Sequence, residues 1–431
     1  MNARMATLLI LASFDKTGLQ LKHVRDQIFK TKKVSSSDRQ RATALTNDII
    51  RWLSVLDSMF TPFLNYQIKR LDPKVKAALR MGVYEGVFDQ EIPSYAAIHS
   101  AVETIKSASN KKAAGLVNAV LRKTIKHHPK NSFIKEAYVQ KAFPQWLSKK
   151  WIHQFGEKDT TDLKNTFIKQ RPIMIRIDTH IESVFNELKE FGAIWKPLAK
   201  MDNMVEIQKG GGILTKTKSF QAGDFSIQDA GSAAVILLLN PKANETILDV
   251  CGAPGTKSFA IAHRMGDNGE LFVFDSDSSR LNIAIEGANR FNFSSIKWEQ
   301  KDATTDTYPM ADRILIDAPC TGTGVIGRKP DLKWRRQKSD ILEMNLIQKS
   351  ILTHMSQFVN PNGIIVYATC SIEPEENWEV VNEFLILNDD FKIESAKQWV
   401  PDSWVDENGC LFTFPSRHNT DGIFACRLKR I

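Results

Sequence analysis

The sequence predicts a multi-domain protein with an all-α bundle, a small α+β connecting unit and an α/β domain whose parallel sheet is doubly wound (Rossmann-like). Three observations lead to this fold class. Apolar residues recur at helical spacing in the first third, strand-length apolar runs alternate with helix-length segments in the last half, and the stretch between mixes both patterns. We place the three parts at residues 1–135, 136–224 and 225–431.

The first part reads as consecutive amphipathic helices. The apolar N-terminal stretch is too short and poorly flanked for a signal peptide, which favours a first helix in a cytoplasmic protein. A stripe from Leu45 to Phe63 predicts a further helix, and another has Asp72 as N-cap, Pro73 at its first position and an end near Asp89. No apolar run approaches the roughly 20 residues of a membrane-spanning helix.

Charge is distributed unevenly along the chain. Residues 1–135 hold 23 Lys and Arg against 10 Asp and Glu, a net charge of +13, which leaves −4 for the remainder of a chain whose total is +9. Such an asymmetry is typical of a polyanion-binding module. A solvated, lysine-rich helical surface explains the charge equally well, so charge alone leaves both interpretations open.

Three segments of the first part resemble the NusB-type RNA-binding domain: LDPKVKAALRMGVYEGVF, IPSYAAIHSAVETIKS and GLVNAVLRK. The resemblance covers most of residues 1 to 130 and implies a helical RNA-binding module. In the connecting unit, Trp146 and Trp151 stand beside Lys149 and Lys150. They can stack on bases or lie in a helix core, and we favour the core.

Five strand-length runs define the predicted parallel sheet: Glu245–Val250, Glu270–Asp275, Ser295–Gln300, Arg313–Ala318 and Gly363–Ala368. Ligands of such sheets bind beyond the carboxyl ends of the strands. A closing antiparallel hairpin is expected after Cys410.

Two cysteines follow strands of this sheet. Asp317 and Cys320 come at the end of the fourth run, and Cys370 follows the fifth, so an acid and two thiols should meet at one edge. The five cysteines are an odd number without metal-site spacing, and neither a disulfide framework nor a metal is expected. Cys410 and Cys426 are interpreted as core residues, while Cys251 is open between core and site.

The first strand ends in a glycine-bearing turn, Asp249 to Lys257, which lets the backbone approach a ligand closely. Its spacing fits neither GxGxxG nor GxxxxGK[ST]. Asp275 ends the second strand, where a carboxylate can accept ribose hydroxyls, and Asp302 follows the third, where it can address an adenine edge. This combination favours S-adenosylmethionine over NAD, although each acid alone could be a helix cap or a solvated loop residue.

Taken together, the motifs of this half resemble the Nol/Nop/Sun family of RNA cytosine-C5 methyltransferases: FSIQDAGS, DVCGAPGTK, Asp275 with Arg280, Lys301-Asp302, DAPCTGTGVIGRKPDLKW and YATCSIEPEEN. With the NusB-like part in front, the arrangement is similar to the bacterial Fmu/Sun branch, which methylates a cytosine in 16S ribosomal RNA. A different RNA substrate, such as 23S ribosomal RNA or tRNA, stays open. Methylation of DNA or protein, and a non-catalytic assembly factor that uses the helical module alone, are the remaining alternatives.

The resemblance implies roles for individual residues. Cys370 is the nucleophile that adds to carbon 6 of cytosine, Cys320 assists removal of the carbon-5 proton and release of product, and Asp317 binds the polar edge of the ring. The implied cofactor is S-adenosylmethionine, the implied partner is ribosomal RNA, no metal is needed and a monomer is expected. The residues expected at the cofactor are Cys251, Gly252, Ala253, Pro254, Gly255, Thr256, Lys257, Asp275, Asp302 and Asp317.

Departures from the family pattern bear on affinity. Gly252 and Thr256 replace an alanine and a glycine of the usual CAAPGGK turn, and the β-branched Thr256 puts cofactor affinity in doubt. Asp178 stands where an asparagine is frequent, which could alter an RNA contact.

The basic segment Arg328 to Lys338 is predicted as an RNA-binding surface, with a solvated helix face as the alternative.

Overall fold

The computed structural model describes residues 1–130, 136–198 and 201–431, except the side chain of Asp202. The chain forms two compact units, Met1–Lys169 with Ile326–Arg336, and Gln170–Val325 with Gln337–Ile431. The predicted domain boundary after residue 135 adjoins residues 131–135, which lie outside the described residues. It remains a prediction, as does the boundary after residue 224.

The first unit is helical. Asp72 accepts hydrogen bonds from the backbone N–H groups of Lys74 and Val75, and the helix it caps is followed by a π-turn that ends before Asp89, as predicted. The stripe that ends at Phe63 is divided between two helices, because the backbone leaves helical geometry at Trp52. The helices are α1 (Ala3–Thr17), α2 (Leu21–Thr31), α3 (Ser36–Arg51), α4 (Leu53–Phe60), α5 (Pro73–Val83), α6 (Ser94–Ala108), α7 (Lys111–His127), α8 (Glu136–Lys141) and α9 (Gln145–Phe167).

Trp151 on α9 is fully buried and its ring contacts those of Phe143 and Phe167, which confirms the core interpretation for Trp151, whereas Trp146 is half-buried. The segment Ile326–Arg336 also packs within this unit. Lys333 is 1% exposed and donates to the Arg51 carbonyl at 2.8 Å. The expectation of an RNA-binding surface is therefore wrong for Lys333, because its charge is buried in the helical unit.

The second unit begins with a four-stranded antiparallel sheet of order β2-β3-β1-β4, built from β1 (Ile173–Ile177), β2 (Ile194–Leu198), β3 (Met201–Lys209) and β4 (Phe225–Ile227). Helix α10 (Ile181–Glu190) follows β1, and α11 (Lys218–Gln221) precedes β4. Strand β1, helix α10 and strand β3 form the mixed helix-and-strand pattern that was predicted for the connecting unit. The edge strand β2 was not predicted, since Lys196 and Pro197 interrupt its apolar pattern and its residues are largely exposed.

Among the residues that the structure describes, the main sheet of this unit has eight strands. They are β5 (Thr246–Val250), β6 (Glu270–Asp275), β7 (Ile296–Gln300), β8 (Ala311–Asp317), β9 (Val359–Thr369), β10 (Phe391–Ile393), β11 (Leu411–Phe412) and β12 (Phe424–Arg430). Their order in the sheet is β10-β12-β9-β8-β5-β6-β7, with β11 paired to β12. Strands β5 to β9 pair in parallel, and β12 closes the sheet antiparallel to β9.

The helices of this half are α12 (Ala230–Leu239), α13 (Thr256–Met265), α14 (Ser278–Ala288), α16 (Lys338–Met355), α17 (Trp378–Leu387) and α18 (Pro415–His418); α15 (Leu332–Arg335) belongs to the helical unit. All five predicted strands and the closing hairpin are present, and the predicted fold class is confirmed. The strand order reverses between β5 and β8, and ligands of open α/β sheets bind at such a switch point. No helix in the described part of the chain is long and apolar enough to cross a membrane.

Candidate active site

The two cysteines meet beyond the carboxyl ends of β8 and β9. These strands are parallel neighbours in which Asp317 is opposite Ala368, so their following loops begin side by side. The sulfur atoms of Cys320 and Cys370 lie 3.3 Å apart, and both residues are half-buried. The parallel pairing of β8 and β9 thus brings close together two thiols that are 50 residues apart in sequence.

Asp317, the last residue of β8, lies beside a lysine of the glycine turn. The Lys257 Nζ donates to its carboxylate at 2.7 Å. Burial alone would lower the pKa of Lys257, but the charge and hydrogen bond of Asp317, together with the charge of Asp249, outweigh it and raise the pKa above its ordinary value. Lys257 is therefore a cation at neutral pH, and the charge of Cys370 also contributes to its raised pKa.

The glycine turn between β5 and α13 encloses a buried carboxyl group. Asp249 is 0% exposed and accepts a hydrogen bond of 2.6 Å from Ser258 Oγ. Burial raises its pKa to about 7. A Cβ atom added at Gly252 would lie 2.6 Å from Val273 Cγ1 and 3.0 Å from the Asp249 carboxyl carbon, so the turn has no room for the alanine that is usual here.

Asp275, at the end of β6, faces the same turn. Its Oδ2 accepts from the Ala253 N–H at 3.2 Å, its Oδ1 accepts from the Asp277 N–H at 3.0 Å, and Arg280 lies 3.3 Å away. Two amide donors occupy about half of the acceptor sites of a carboxylate. Arg280 Nη1 lies within 3.5 Å of both carboxylate oxygens, and the acceptance of ribose hydroxyl groups by Asp275 stays a prediction.

Asp302 follows β7 in a tight turn. Its Oδ1 accepts from the N–H of Thr304 at 2.8 Å and from the Thr304 hydroxyl at 2.6 Å. These bonds lower the pKa of Asp302. Asp302 is exposed and bonds within its own turn, which is the loop alternative that the sequence left open, and its role at the cofactor stays a prediction.

The other expected positions divide between the turn and the core. Cys251 adopts a positive φ of 61° directly after β5, and burial raises the pKa of its thiol. Cys410 and Cys426 are buried in the sheet core, as interpreted from the sequence. Asp178 accepts from Nε and Nη2 of Arg176 at 2.7 and 2.8 Å with both side chains buried, so the structure gives it an internal partner.

Sequence reasoning missed a second set of polar groups behind the cysteines. Glu376, Ser371 and Thr321 are 0% exposed and hydrogen-bonded to one another. Their only sequence signal is a run of polar residues directly after each cysteine. No period or spacing distinguishes such a run from a solvated loop.

Two parts of the chain match known families. Residues 236–429 match the family described as 16S rRNA methyltransferase RsmB/F, and residues 1–126 match the NusB family. Both resemblances expected from the sequence are thereby confirmed.

Individual relatives extend the match to nearly the whole chain. The probable ribosomal RNA small subunit methyltransferase B of Bacillus subtilis (strain 168) is 32% identical over 94% of this chain and 93% of its own length. The protein of the same description from Synechocystis sp. is 28% identical over 100% of this chain and 99% of its own. The crystal structure of PH0851 has a TM-score of 0.84 at 26% identity and covers 100% of this chain and 99% of that one. This chain therefore belongs to the ribosomal RNA small subunit methyltransferase B family.

Proposed function

We propose that the protein methylates carbon 5 of a cytosine in 16S ribosomal RNA, with S-adenosylmethionine as the methyl donor. The observation that carries this proposal is the pair of thiols, Cys320 and Cys370, 3.3 Å apart at the edge of the sheet. One thiol suffices for a covalent adduct. A second thiol beside it suits a reaction in which a proton must also leave the adduct.

Carbon 5 of cytosine is a poor nucleophile until a thiolate adds to carbon 6. We assign this addition to Cys370, whose neighbour Lys257 is a cation. After methyl transfer, the proton on carbon 5 must leave so that the bond between carbon 6 and sulfur can break, and Cys320 assists this step. Asp317, held by Lys257, binds the polar edge of the ring and stabilises the charge that develops there.

The residues of the glycine turn fit the cofactor. Asp275 has acceptor capacity for ribose hydroxyls, and Asp302 follows the next strand. The turn from Cys251 to Lys257 contains glycines that let its backbone approach a ligand closely, and it leads into the start of α13. S-adenosylmethionine supplies an electrophilic methyl group on a sulfonium. The substrate base must leave its stack to reach both thiols, which a single-stranded or loosely paired RNA allows most easily.

The net charge of +13 in residues 1–135 supports RNA binding by the helical unit. Together with membership of the family, it favours RNA over DNA or protein as the substrate. The family description also favours 16S ribosomal RNA over 23S ribosomal RNA or tRNA.

The test is methyl transfer from labelled S-adenosylmethionine to 16S ribosomal RNA by the purified full-length protein, followed by bisulfite sequencing of the product. We expect one new 5-methylcytosine with the wild-type protein and none with Cys370→Ala. Cys320→Ala should accumulate a covalent adduct with RNA that survives denaturing electrophoresis. Cys410→Ala is the matched control, because it removes a core thiol of the same unit and should retain activity.

Other outcomes would change the assignment. Full activity of Cys370→Ala would contradict the mechanism, and methylation of tRNA or 23S ribosomal RNA instead of 16S would keep the chemistry and change the substrate. A preference for duplex DNA would reject the RNA substrate. Absence of S-adenosylmethionine binding by calorimetry would favour the non-catalytic assembly factor.

A further inference from the structure

A single buried carboxylate contacts both cysteine loops. Glu376 lies in the turn before α17 and is 0% exposed. Its Oε1 accepts from the Thr321 N–H at 2.7 Å and from the Gln348 side-chain amide at 3.1 Å. Its Oε2 accepts from the hydroxyl groups of Thr321 and Ser371. Because Thr321 follows Cys320 and Ser371 follows Cys370, one side chain fixes the residue next to each thiol.

Further bonds join the same two loops. The Thr323 hydroxyl lies 3.1 Å from that of Ser371 and accepts from the Ile372 N–H at 3.1 Å. The Gly324 N–H donates to the Cys370 carbonyl at 3.0 Å. The residues that follow each thiol are therefore bonded to the other loop, and the Glu376 carboxyl group, whose pKa is raised by burial and lowered by its hydrogen bonds, lies at the centre of this network.

Four donors converge on Glu376, which matches the acceptor capacity of an ionised carboxylate. Two of these donors, the Thr321 N–H and the Gln348 side-chain amide, are N–H groups, which can donate a hydrogen bond but cannot accept one. Without the carboxylate the Thr321 N–H would lose its buried acceptor and Gln348 would keep only its bond to the Pro319 carbonyl, and proteins avoid such a buried unpaired donor by moving the chain. Loss of Glu376 should therefore displace the Cys320 loop first.

The charges around the two thiols differ. The pKa of the Cys320 thiol is raised by its hydrogen bond with Cys370, by burial and by the negative charges of Cys370 and Glu376. The cation Lys257, in contrast, interacts with Cys370. The surroundings thus favour a thiolate on Cys370 over one on Cys320, which suits the addition of Cys370 to carbon 6.

We propose that Glu376 is a positioning residue, whose hydrogen bonds to Thr321 and Ser371 hold the Cys320 and Cys370 loops in register. Its catalytic consequence rests on the proposed function, whereas the placement of the thiols does not. Glu376 touches neither substrate nor cofactor in this assignment and acts through the two loops.

The first experiment measures thiol placement without any methyl transfer. Phenylarsine oxide bridges two thiols only when they lie side by side, and peptide mass spectrometry identifies which cysteines carry the arsenic. We expect a Cys320–Cys370 bridge in the wild-type protein and in Glu394→Ala, a control that breaks the ion pair of Glu394 with Arg427 in the same unit. Glu376→Ala should form this bridge at least about tenfold more slowly. Equal rates in Glu376→Ala and Glu394→Ala would overturn the proposal.

The second experiment uses the isosteric Glu376→Gln, which folds if the larger deletion does not. We expect kcat for cytosine methylation to fall about 10- to 100-fold, with the KM values for RNA and S-adenosylmethionine within about threefold of wild type. Alkylation of Cys320 by iodoacetamide at pH 8 should become about tenfold faster, because a neighbouring negative charge is lost. An unchanged kcat and an unchanged alkylation rate would overturn the proposal. If the wild-type protein methylates no cytosine, the proposed function fails, while the arsenical and alkylation rates still decide the role of Glu376.

Discussion

The edge of the main sheet has two sides that are built differently. On the cysteine side, after β8 and β9, a side chain connects the loops: Glu376 bonds to residues 5 and 55 positions away in sequence. On the glycine side, after β5 and β6, the turns are connected through backbone groups, because Asp275 accepts from main-chain N–H groups of its own turn and of the adjacent turn. The cysteine side should therefore respond most to loss of a charge, and the glycine side to added volume.

The buried carboxyl groups of the two sides, Glu376 and Asp249, differ in the number of hydrogen bonds that they accept. Glu376 accepts from four donors. Asp249 accepts from Ser258, and its Oδ1 has no hydrogen-bond partner within the described part of the chain. Burial raises the pKa of both groups, because it disfavours their charged form; four hydrogen bonds oppose this shift at Glu376, and one does at Asp249.

The largest effect is expected where the two sides meet. Lys257 belongs to the glycine side but binds Asp317 of the cysteine side at 2.7 Å. Lys257→Met should reduce kcat about 10²- to 10³-fold, as for loss of one preorganised charged donor. The measurement is single-turnover methylation of 16S ribosomal RNA. Lys297→Met is the control, because Lys297 pairs with Glu270 on the exposed surface of the same sheet. Equal rates for both variants would contradict a role for the pair in catalysis.

Much of this edge could be predicted from the sequence. Apolar strand-length runs located Asp317, Cys320 and Cys370, and the rule that parallel strands present their carboxyl ends together predicted that the thiols meet. Glycine and proline marked the turn after β5 because its backbone conformation selects those residues, as the φ of +91° at Gly255 shows.

Contacts that depend on tertiary packing could not be predicted. The pairing of Lys257 with Asp317 depends on how α13 is rotated against the sheet, and Glu376 is recognised only once both cysteine loops are in place. Lys333 looked like a surface residue because its neighbours are basic, yet it is buried against a helix about 280 residues earlier in the chain. No local pattern in the sequence encodes such long-range contacts.

The pH dependence of stability tests the contrast between the carboxyl groups. Burial raises the pKa of Asp249 to about 7, whereas an unfolded aspartate titrates near 3.9. Between these values the native state holds a proton that the unfolded state has lost, so this contribution to stability is present at low pH and is lost as the pH rises through 7. The unfolding free energy of the wild-type protein relative to Asp249→Asn should therefore fall by about 2–3 kcal/mol between pH 5 and pH 8.

Urea unfolding at the two pH values measures this difference. Asp267→Asn is the control. Although burial opposes the shift, hydrogen bonds from Ser295 and Ser294 lower the pKa of Asp267 to about 2, so this group is ionised in both states throughout the range. Its difference from wild type should be the same at pH 5 and pH 8. The same constancy for Asp249→Asn would show that Asp249 is ionised in the native state and would remove the contrast with Glu376.

The smallest effect concerns volume on the glycine side. Gly252→Ala restores the residue that is usual in this turn, but its Cβ would meet Val273 Cγ1 at 2.6 Å. We expect a loss of about 1–2 kcal/mol in unfolding free energy from overpacking, together with weaker binding of S-adenosylmethionine by calorimetry. Val273→Ala should rescue Gly252→Ala in a double-mutant cycle, since it removes the opposing methyl group. Gly287→Ala on α14 is the control, because its Cβ would lie 3.8 Å from Phe259 in ordinary contact. Additive effects of the Gly252 and Val273 changes would mean that the turn moves as a whole, and the glycine side would then be as adaptable as a surface loop.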